Sequence, residues 1–253
     1  AVPHRLPAEM DAFVGRAAEL AELREKLSAG ARLVTLLGPG GIGKTRLAVR
    51  YGWSRLEEWP GGVWFCDLTE AKTTDGIASA VAQGLGVPLG TGNAVDQLGH
   101  AIASRGPCLV ILDNFEQVVE RAAETVEHWL ARSLNARFIV TSRERLKLAV
   151  EDAQEVETLT LEQGVELFVE RGRRQRPIDR GESEAESIRE IVRLLEGIPL
   201  AIELSAARLK VMTPAQMVDR IAGRFQILAG AGAGRHATLR ATMAGSWELL
   251  QPW

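Results

Sequence analysis

The sequence predicts an α/β domain with a parallel sheet, followed by a small bundle of α-helices. Up to about residue 158, short apolar runs alternate with helix-like stretches, which is typical of a doubly wound sheet. The run at residues 108–112 is apolar throughout, as in a strand that is buried on both faces. Beyond residue 158 only helical spacing remains, for example in the stripe of Ile188, Ile191 and Leu195.

Each element follows from a local signal. Apolar runs predict strands at residues 32–37, 63–68, 108–112 and 137–141, with a shorter one near 154–158. Helical periodicity in this half predicts helices that end near Ser28 and near Glu58, and others at residues 73–85, 94–105 and 116–134. In the second half it predicts helices at residues 161–174, 183–196, 199–211, 214–222 and 236–250. Thr213 and Gln216 form a capping-box pattern at the start of one of them.

Composition indicates a folded globular protein. The chain has 253 residues, of which 46% are hydrophobic and 25% are charged, and this is too apolar for a disordered chain. Its 30 basic and 33 acidic side chains give a net charge of −3, which argues against a nucleic-acid surface spread over the chain. Cys66 and Cys108 lie in apolar runs and are expected to be buried thiols, because two cysteines form no metal cluster or disulfide framework.

The sequence carries no signal for a membrane or for export. It has no run of about 18 apolar residues, and its N-terminus lacks the charged-then-apolar order of a signal peptide. We therefore expect a cytoplasmic protein with no membrane partner. The chain starts without Met and stops just after an apolar stretch, so we expect a piece of a longer protein.

A phosphate-binding loop follows the first predicted strand. The segment Gly38-Pro39-Gly40-Gly41-Ile42-Gly43-Lys44-Thr45 matches the P-loop pattern, and a helix is predicted directly after it. The glycines let successive N–H groups point at phosphate oxygens. Lys44 is expected to reach the β- and γ-phosphates, and the Thr45 hydroxyl to bind Mg²⁺. This segment predicts nucleoside triphosphate binding. ATP is favoured because no guanine-reading Asn-Lys-x-Asp motif is present.

Acidic residues at the end of a second strand complete the predicted magnesium site. Asp113 follows an apolar run, and its carboxylate is expected to hold Mg²⁺ at the edge of the sheet where ligands bind. It also fits a helix N-cap, with Glu116 as the capping-box partner. Asn114 cannot act as a general base, whereas Glu116 could orient a water. We therefore expect slow hydrolysis.

An arginine follows the fourth predicted strand. Arg143 comes after Thr141 and Ser142, at a strand end that flanks the phosphate loop. Because a guanidinium binds phosphate through two parallel hydrogen bonds, Arg143 is expected to contact the γ-phosphate. The alternative is a solvated surface arginine, like its neighbour Arg145.

Five motifs along residues 13–201 together resemble one family, the signal-transduction ATPases with numerous domains (STAND), of the NB-ARC or AP-ATPase type. The phosphate loop and the strand 109–113 with Asn114 are similar to the Walker A and Walker B motifs of that family. The segment Thr141-Ser142-Arg143 is similar to its sensor 1. Phe13-Val14-Gly15-Arg16 resembles its N-terminal motif, and Gly197-Ile198-Pro199-Leu200 resembles its Gly-x-Pro motif.

The resemblance implies a P-loop NTPase sheet of the ASCE/AAA+-like class, with ATP or ADP and Mg²⁺ as cofactors. In the family, the N-terminal motif packs against adenine and ribose, and the proline contacts adenine from the helical domain. The residues expected to bind nucleotide are Phe13, Val14, Gly15, Arg16, Pro39, Gly40, Gly41, Ile42, Gly43, Lys44, Thr45, Arg46, Pro199 and Leu200. The residues expected to act in hydrolysis are Lys44, Asp113, Glu116 and Arg143, and those expected to bind metal are Thr45 and Asp113.

The resemblance also implies a domain plan. We expect an N-terminal arm at residues 1–12, a nucleotide-binding domain at 13–157 and a helical lid at 158–228. Residues 229–253 begin with a Gly/Ala linker and continue into a segment similar to the start of a winged-helix domain in bacterial regulators. In such regulators the full-length protein self-associates in the ATP state. DNA is expected to be a partner only through an effector domain outside this chain.

These features predict the ATP/ADP-binding switch module of a bacterial transcriptional regulator. The main alternative is a continuously cycling AAA+-type ATPase, such as a remodeller or loader. A small-molecule kinase would need an acceptor pocket and a base, and the sequence shows no such constellation. Arginines between Arg171 and Arg180 could bind nucleic acid, but a solvated loop between helices is the simpler interpretation, because no aromatic residues are interleaved with them.

Overall fold

The computed structural model describes residues 2–178 and 181–229. The chain divides into two units, residues 1–157 and residues 158–253. The first unit is built on a parallel sheet, and the second is helical in its described part. No helix in the described ranges is long and apolar enough to cross a membrane.

The sheet of the first unit is parallel throughout its described strands. These are β1 (His4–Arg5), β2 (Leu33–Leu37), β3 (Val63–Asp67), β4 (Leu109–Asp113), β5 (Arg137–Ser142) and β6 (Glu151–Glu155). Their order across the sheet is β1-β3-β4-β5-β2-β6. Because β5 lies between β2 and β4, the carboxyl ends of these three strands are neighbours at one edge. This sheet, followed by helices, confirms the predicted P-loop NTPase fold class.

The central strands are buried on both faces, as the uninterrupted apolar runs predict. All five residues of β2 and of β4 are buried. Side chains alternate between faces along a strand, so Val110 and Leu112 enter one core cluster while Leu109 and Ile111 enter the other. Cys66 and Cys108 are buried free thiols, as expected.

In the described residues of the first unit, five α-helices flank the sheet. They are α1 (Ala17–Ser28), α2 (Lys44–Ser54), α3 (Thr74–Leu85), α4 (Ala94–Ala103) and α5 (His128–Arg132). The α3 helix begins where the Thr73 side chain accepts a hydrogen bond from Gly76 N. It ends at Gly86, whose φ of 65° suits a helix C-terminus.

The single helix predicted at residues 116–134 is wrong in detail. The segment contains two 3₁₀ turns (Phe115–Gln117 and Val119–Arg121), a π-helical turn (Ala123–Glu127) and then α5. Its buried side chains, which include Phe115, Val126 and Trp129, pack into one core cluster. Packing against the sheet therefore takes precedence over regular helical geometry, which sequence periodicity cannot reveal.

The two edges of the sheet also differ from prediction. The predicted N-terminal arm contains β1, which pairs with β3 through His4 and Val63 and through Arg5 and Trp64. Two residues are too few to show an alternating pattern. The last strand lies at Glu151–Glu155 rather than near 154–158. The prediction misplaced it because its residues are mostly polar and form no apolar run.

The second unit consists of helices in its described residues. They are α6 (Leu161–Gly172), α7 (Glu182–Leu194), α8 (Pro199–Ala207), a 3₁₀ turn (Arg208–Lys210) and α9 (Pro214–Ala229). The predicted capping box is present, because Thr213 Oγ1 accepts from Gln216 N at 3.3 Å and Gln216 Oε1 accepts from Thr213 N at 3.0 Å. The linker and helix predicted after residue 229 lie outside the described residues.

The predicted solvated arginine loop needs one correction. Arg171 lies within α6, is buried, and pairs with Glu203 at 3.0 Å between Nε and Oε1. Arg176 pairs with Glu184. These arginines therefore support the helical packing, while Arg173 and Arg174 are exposed. Arg180 lies outside the described residues.

Candidate nucleotide-binding site

The loop between β2 and α2 has a backbone suited to holding phosphate. Gly38, Gly41 and Gly43 have φ angles of 152°, 77° and 98°, in a region that glycine adopts at little cost. A Cβ on Gly38 would lie 3.0 Å from the carbonyl oxygen of Val156, so this close approach also favours glycine. Gly43 is the N-cap of α2, which places the positive end of the helix dipole at the loop.

Backbone N–H groups in this loop are available to a ligand. Within the described ranges, the N–H groups of Gly41, Gly43 and Lys44 donate to no protein acceptor. The first N–H groups of a helix always lack an internal partner. Phosphate oxygens accept from such groups in P-loops. The loop therefore fits the phosphates of a nucleotide.

Lys44 folds back over the loop. Its Nζ donates to the carbonyl oxygens of Gly38 at 2.7 Å and Pro39 at 3.0 Å. Burial lowers the pKa of Lys44, Arg143 lowers it further, and Glu116 opposes the change. The ammonium group thus lies beside the phosphate loop, where the sequence predicts that it contacts phosphate.

Asp113 ends β4 with a buried carboxylate that hydroxyl groups from two other elements hold in place. Thr45 Oγ1, in the first turn of α2, donates to Asp113 Oδ1 at 2.7 Å. Thr141 Oγ1, near the end of β5, donates to the same oxygen at 2.6 Å. Asn114 Nδ2 donates to Oδ2 at 3.1 Å. The structure therefore brings both predicted metal ligands together, and it adds Thr141, which the sequence singled out only as a neighbour of Arg143.

The environment of Asp113 disfavours its charged form. Burial raises the pKa of Asp113, the carboxylates of Asp67 and Glu116 add to the rise, and the hydroxyl hydrogen bonds oppose it. A divalent cation beside the carboxylate would reverse this preference. Mg²⁺ is usually held by one or two carboxylates together with substrate phosphates. The Thr45–Asp113 pair fits that requirement, although the described residues include no cluster of three or more His, Cys, Asp or Glu.

Asn114 connects Asp113 to the neighbouring strand end. Its φ is 62°, and its Nδ2 also lies 2.8 Å from Thr69 Oγ1 and 3.4 Å from Asp67 Oδ1. The Thr69 hydroxyl donates to Asp67 Oδ1 at 2.6 Å. Sequence reasoning missed Asp67 and Thr69. The available signal was their position at the end of the strand predicted at residues 63–68 and directly after it, at the same edge of the sheet as Asp113.

Glu116 and Arg143 form an ion pair beside the loop. Arg143 Nε lies 3.1 Å from Glu116 Oε1, and the side chains are 64% and 18% exposed. Glu116 Oε2 is buried and has no hydrogen-bond partner in the described part of the chain. A Cβ on Gly40 would lie 3.1 Å from Arg143 Nη2, so the guanidinium lies against the phosphate loop.

The capping-box alternative for Asp113 and Glu116 is not what the structure shows, whereas the surface alternative for Arg143 stays open. The N-cap of the turn Phe115–Gln117 is Asn114, and no side chain caps it, so Asp113 and Glu116 form no capping box. Arg143 is 64% exposed, as the surface alternative expects, and it is also paired with Glu116. Its predicted contact with a γ-phosphate stays a prediction.

The N-terminal motif lies against the phosphate loop. Arg16 is buried, and its Nη2 donates to the carbonyl oxygen of Ile42 at 2.9 Å. Phe13 packs against the core cluster that contains Ile42. Arg46, in the first turn of α2, donates to the carbonyl oxygen of Ala12 at 2.8 Å. Val14 and Gly15 are half-buried between them. The predicted contacts of this motif with adenine and ribose stay predictions.

The Gly-x-Pro motif lies in the second unit. Gly197 has a φ of 68°, and a Cβ there would lie 2.2 Å from the carbonyl oxygen of Leu159, so only glycine fits. Pro199 is the first residue of α8. Leu200 is 39% exposed, which is unusual for a leucine in this unit. Their predicted contact with adenine also stays a prediction.

The fold and the loop define a P-loop nucleotide-binding protein. The sequence matches the AAA domain family over residues 27–169, which is more than half of the chain. The chain therefore belongs to this family of AAA domains.

Relatives with similar sequences include mycobacterial and streptomycete proteins. The uncharacterized protein Rv0894 of Mycobacterium tuberculosis is 36% identical over 98% of this chain and 64% of its own length. A putative HTH-type transcriptional regulator of that organism, Rv0890c, is 36% identical over 87% of this chain and 25% of its own length. The regulatory protein AfsR of Streptomyces coelicolor is 27% identical over 99% of this chain and 26% of its own length. The chain thus spans only part of each relative.

Solved structures share the fold at low sequence identity. A STAND protein with a tetratricopeptide repeat sensor from Pyrococcus horikoshii has a TM-score of 0.53 and 18% identity, over 85% of this chain and 33% of that one. A Walker-type ATPase from Pyrococcus abyssi has a TM-score of 0.61 and 16% identity, over 90% of this chain and 77% of that one. At such identities the likeness concerns the fold alone.

Proposed function

We propose that this chain is the ATP/ADP-binding switch module of a bacterial transcriptional regulator of the STAND class and NB-ARC type. The nucleotide acts mainly as a bound ligand, and its hydrolysis is slow. Exchange of ADP for ATP shifts the protein between two conformations and controls self-association of the full-length protein. DNA is reached through an effector domain outside this chain. Two of the related proteins are named as regulators, which supports this assignment.

The observation that carries the proposal is the carboxylate of Asp113 held by Thr45 and Thr141. The bonds of 2.7 and 2.6 Å join the ends of β4 and β5 and the start of α2 around one buried oxygen. A hydrogen-bonded network in a low-dielectric setting fixes its members in position before a ligand arrives. We infer that this network is the magnesium side of a nucleotide site.

Each side chain around the loop has a distinct proposed task. Lys44 donates to the β- and γ-phosphate oxygens, exchanging its present carbonyl partners for charged ones. Thr45 and Asp113 hold Mg²⁺, and Arg143 contacts the γ-phosphate. When bound, Mg²⁺ would neutralise charge on the phosphates. Selective contact with the γ-phosphate is what lets ATP and ADP favour different conformations.

Slow hydrolysis follows from the residues near Asp113. Asn114 carries an amide, which cannot accept a proton from water as a carboxylate can. Glu116 could orient a water, but its Oε1 is engaged by Arg143 at 3.1 Å. The protein thus has donors that bind phosphate, while its possible base is held by an ion pair.

The nucleotide that the purified protein carries tests the proposal. Heat-released nucleotide, identified by chromatography, is expected to be ADP in wild type and to be absent from Lys44→Ala. Hydrogen bonds to charged groups contribute about 1.5–3 kcal/mol, so the affinity for ADP should fall about tenfold to a hundredfold. Lys72→Ala is the matched control, because Lys72 is an exposed lysine of the same unit and lies outside the loop. Equal retention by wild type and Lys44→Ala would contradict a P-loop site.

A continuously cycling ATPase remains the second candidate, and one observation favours it. Glu116 Oε2 is buried and unpaired among the described residues, as a group that orients a water would be. In that case the purified protein should be empty and turn over ATP at about 1 s⁻¹ or faster, the usual range of enzymes.

A further inference from the structure

Arg16 links three parts of the first unit through one guanidinium group. Its Nη1 donates to Glu19 Oε1 at 2.5 Å and to the carbonyl oxygen of Glu157 at 2.6 Å. Its Nη2 donates to the carbonyl oxygen of Ile42 at 2.9 Å. Glu157 follows β6, and Ile42 lies inside the phosphate loop. The Ile42 carbonyl is therefore tied, through Arg16, to the first turn of α1 and to the segment that follows β6.

Holding the Ile42 carbonyl also orients the next N–H group. The carbonyl of Ile42 and the N–H of Gly43 belong to one planar trans peptide, in which the two bonds point in opposite directions. A guanidinium that holds the Ile42 oxygen in place therefore also sets the direction of the Gly43 N–H on the opposite side of the peptide. The Gly43 N–H donates to no described protein acceptor, and it belongs to the glycine of the loop that immediately precedes Lys44.

The backbone at Arg16 is costly, which indicates that its position is required. Its φ of 67° is in the left-handed region, where residues other than glycine are uncommon, and Gly15 before it has a φ of 70°. Its side chain is only 6% exposed, so the charge is withdrawn from water. Strain of this kind persists where surrounding contacts determine the conformation, and it concentrates at functional sites.

We propose that Arg16 is a positioning residue that orients the Gly43 N–H toward the β-phosphate of a bound nucleotide. This role rests on the proposed nucleotide-binding function. It differs from the contact with adenine or ribose that the N-terminal motif predicts, because it acts through the peptide between Ile42 and Gly43. Loss of Arg16 therefore affects the phosphate part of the ligand and leaves the nucleoside part unchanged.

Ligands that differ only in phosphate content test this role. We would measure the dissociation constants of AMP, ADP and inorganic pyrophosphate for wild type, Arg16→Gln and Arg16→Lys by calorimetry. For Arg16→Gln we expect binding of ADP and of pyrophosphate to weaken about tenfold, and binding of AMP to change less than twofold. Arg16→Lys keeps the charge, but its single nitrogen cannot take the places of both Nη1 and Nη2, so the same pattern should appear in smaller degree. If Arg16→Gln does not fold, Arg16→Lys decides.

Glu19→Gln is the matched control. It removes the charged partner of Arg16 but leaves both carbonyl acceptors, so the ratio of AMP to ADP affinity should stay within twofold of wild type. Equal weakening of AMP and ADP by Arg16→Gln would overturn the inference and favour direct contact with the nucleoside. An unchanged ratio with a lowered melting temperature would overturn it in favour of a purely structural role. Failure of wild type to bind ADP would overturn the proposed function as well.

Discussion

The two sides of the candidate phosphate site differ in how completely their side chains are bonded. On the proposed metal side, both oxygens of Asp113 accept hydrogen bonds, and the residue is only 4% exposed. On the other side, Glu116 has one partner, Arg143, which is 64% exposed, and its second oxygen has none among the described residues. One side is fixed before any ligand arrives, whereas the other is held by a single contact open to solvent.

The difference indicates which task the site performs well. Exposed ion pairs contribute little free energy and exchange partners readily, whereas buried hydrogen-bonded networks hold their geometry. Under the proposed function, we expect a site with a rigid metal side and a weakly held potential base to bind nucleotide firmly and to hydrolyse it slowly. That combination suits a switch better than a motor.

Removal of the Asp113 carboxylate should give the largest effect. We expect Asp113→Asn to reduce Mg²⁺-dependent hydrolysis about 100-fold or more in single-turnover assays, because a preorganised electrostatic group is lost. Asp67→Asn is the matched control, since Asp67 ends the neighbouring strand and accepts hydrogen bonds from Thr69 and Asn114 rather than from Thr45. Its hydrolysis rate should stay within about threefold of wild type. Comparable losses in the two variants would place the metal elsewhere.

The same two variants should shift the stability of the nucleotide-free protein in opposite directions. Burial raises the pKa of Asp113, so its ionised form costs folding free energy, and Asp113→Asn should stabilise the protein at pH 7 by about 1 kcal/mol. The pKa of Asp67 is lowered, because hydrogen bonds from Thr69 and Asn114 outweigh the opposing effect of burial. Asp67→Asn should therefore destabilise it.

The pH dependence separates these two causes. The contribution of Asp113 to folding stability is fully present below the pKa of the group in the unfolded chain, about 4. It is lost as pH rises through the raised pKa of the group in the folded protein. The gain in folding stability from Asp113→Asn should therefore grow with pH. The loss of folding stability from Asp67→Asn should also grow with pH, and it should vanish at acid pH. Melting temperatures between pH 3 and 8 measure both trends. A stabilising effect of Asp113→Asn that is equally large at pH 3 would rule out the buried charge as its cause.

Sequence patterns located the strands that carry an apolar run and failed at the two edges of the sheet, β1 and β6. The apolar runs of β2 and β4 are buried on both faces, so their bounds were predicted to within a residue. The β6 strand is polar and was misplaced, and β1 has only two residues. A strand at the edge of a sheet need not carry an apolar run, so periodicity gives it little signal.

The candidate site shows the same division. The phosphate loop and Asp113 could be predicted from local spacing, because a glycine-rich loop and the end of a strand are each encoded by adjacent residues. The hydrogen bond from Arg16 to Ile42 joins residues 26 positions apart, and that from Asn114 to Thr69 joins residues 45 positions apart. Such pairs are set by the packing of the sheet and helices, which a single sequence does not display.

Steady-state ATP turnover by wild type, compared with Glu116→Gln, tests most directly whether the site binds firmly and hydrolyses slowly. We expect wild type to turn over at about 0.01 s⁻¹ or less, as P-loop proteins do without a complete catalytic set. Glu116→Gln should then change this rate less than tenfold, which corresponds to about 1.4 kcal/mol. Turnover of about 1 s⁻¹ that collapses in Glu116→Gln would show that Glu116 is an effective base and that the protein is a cycling ATPase.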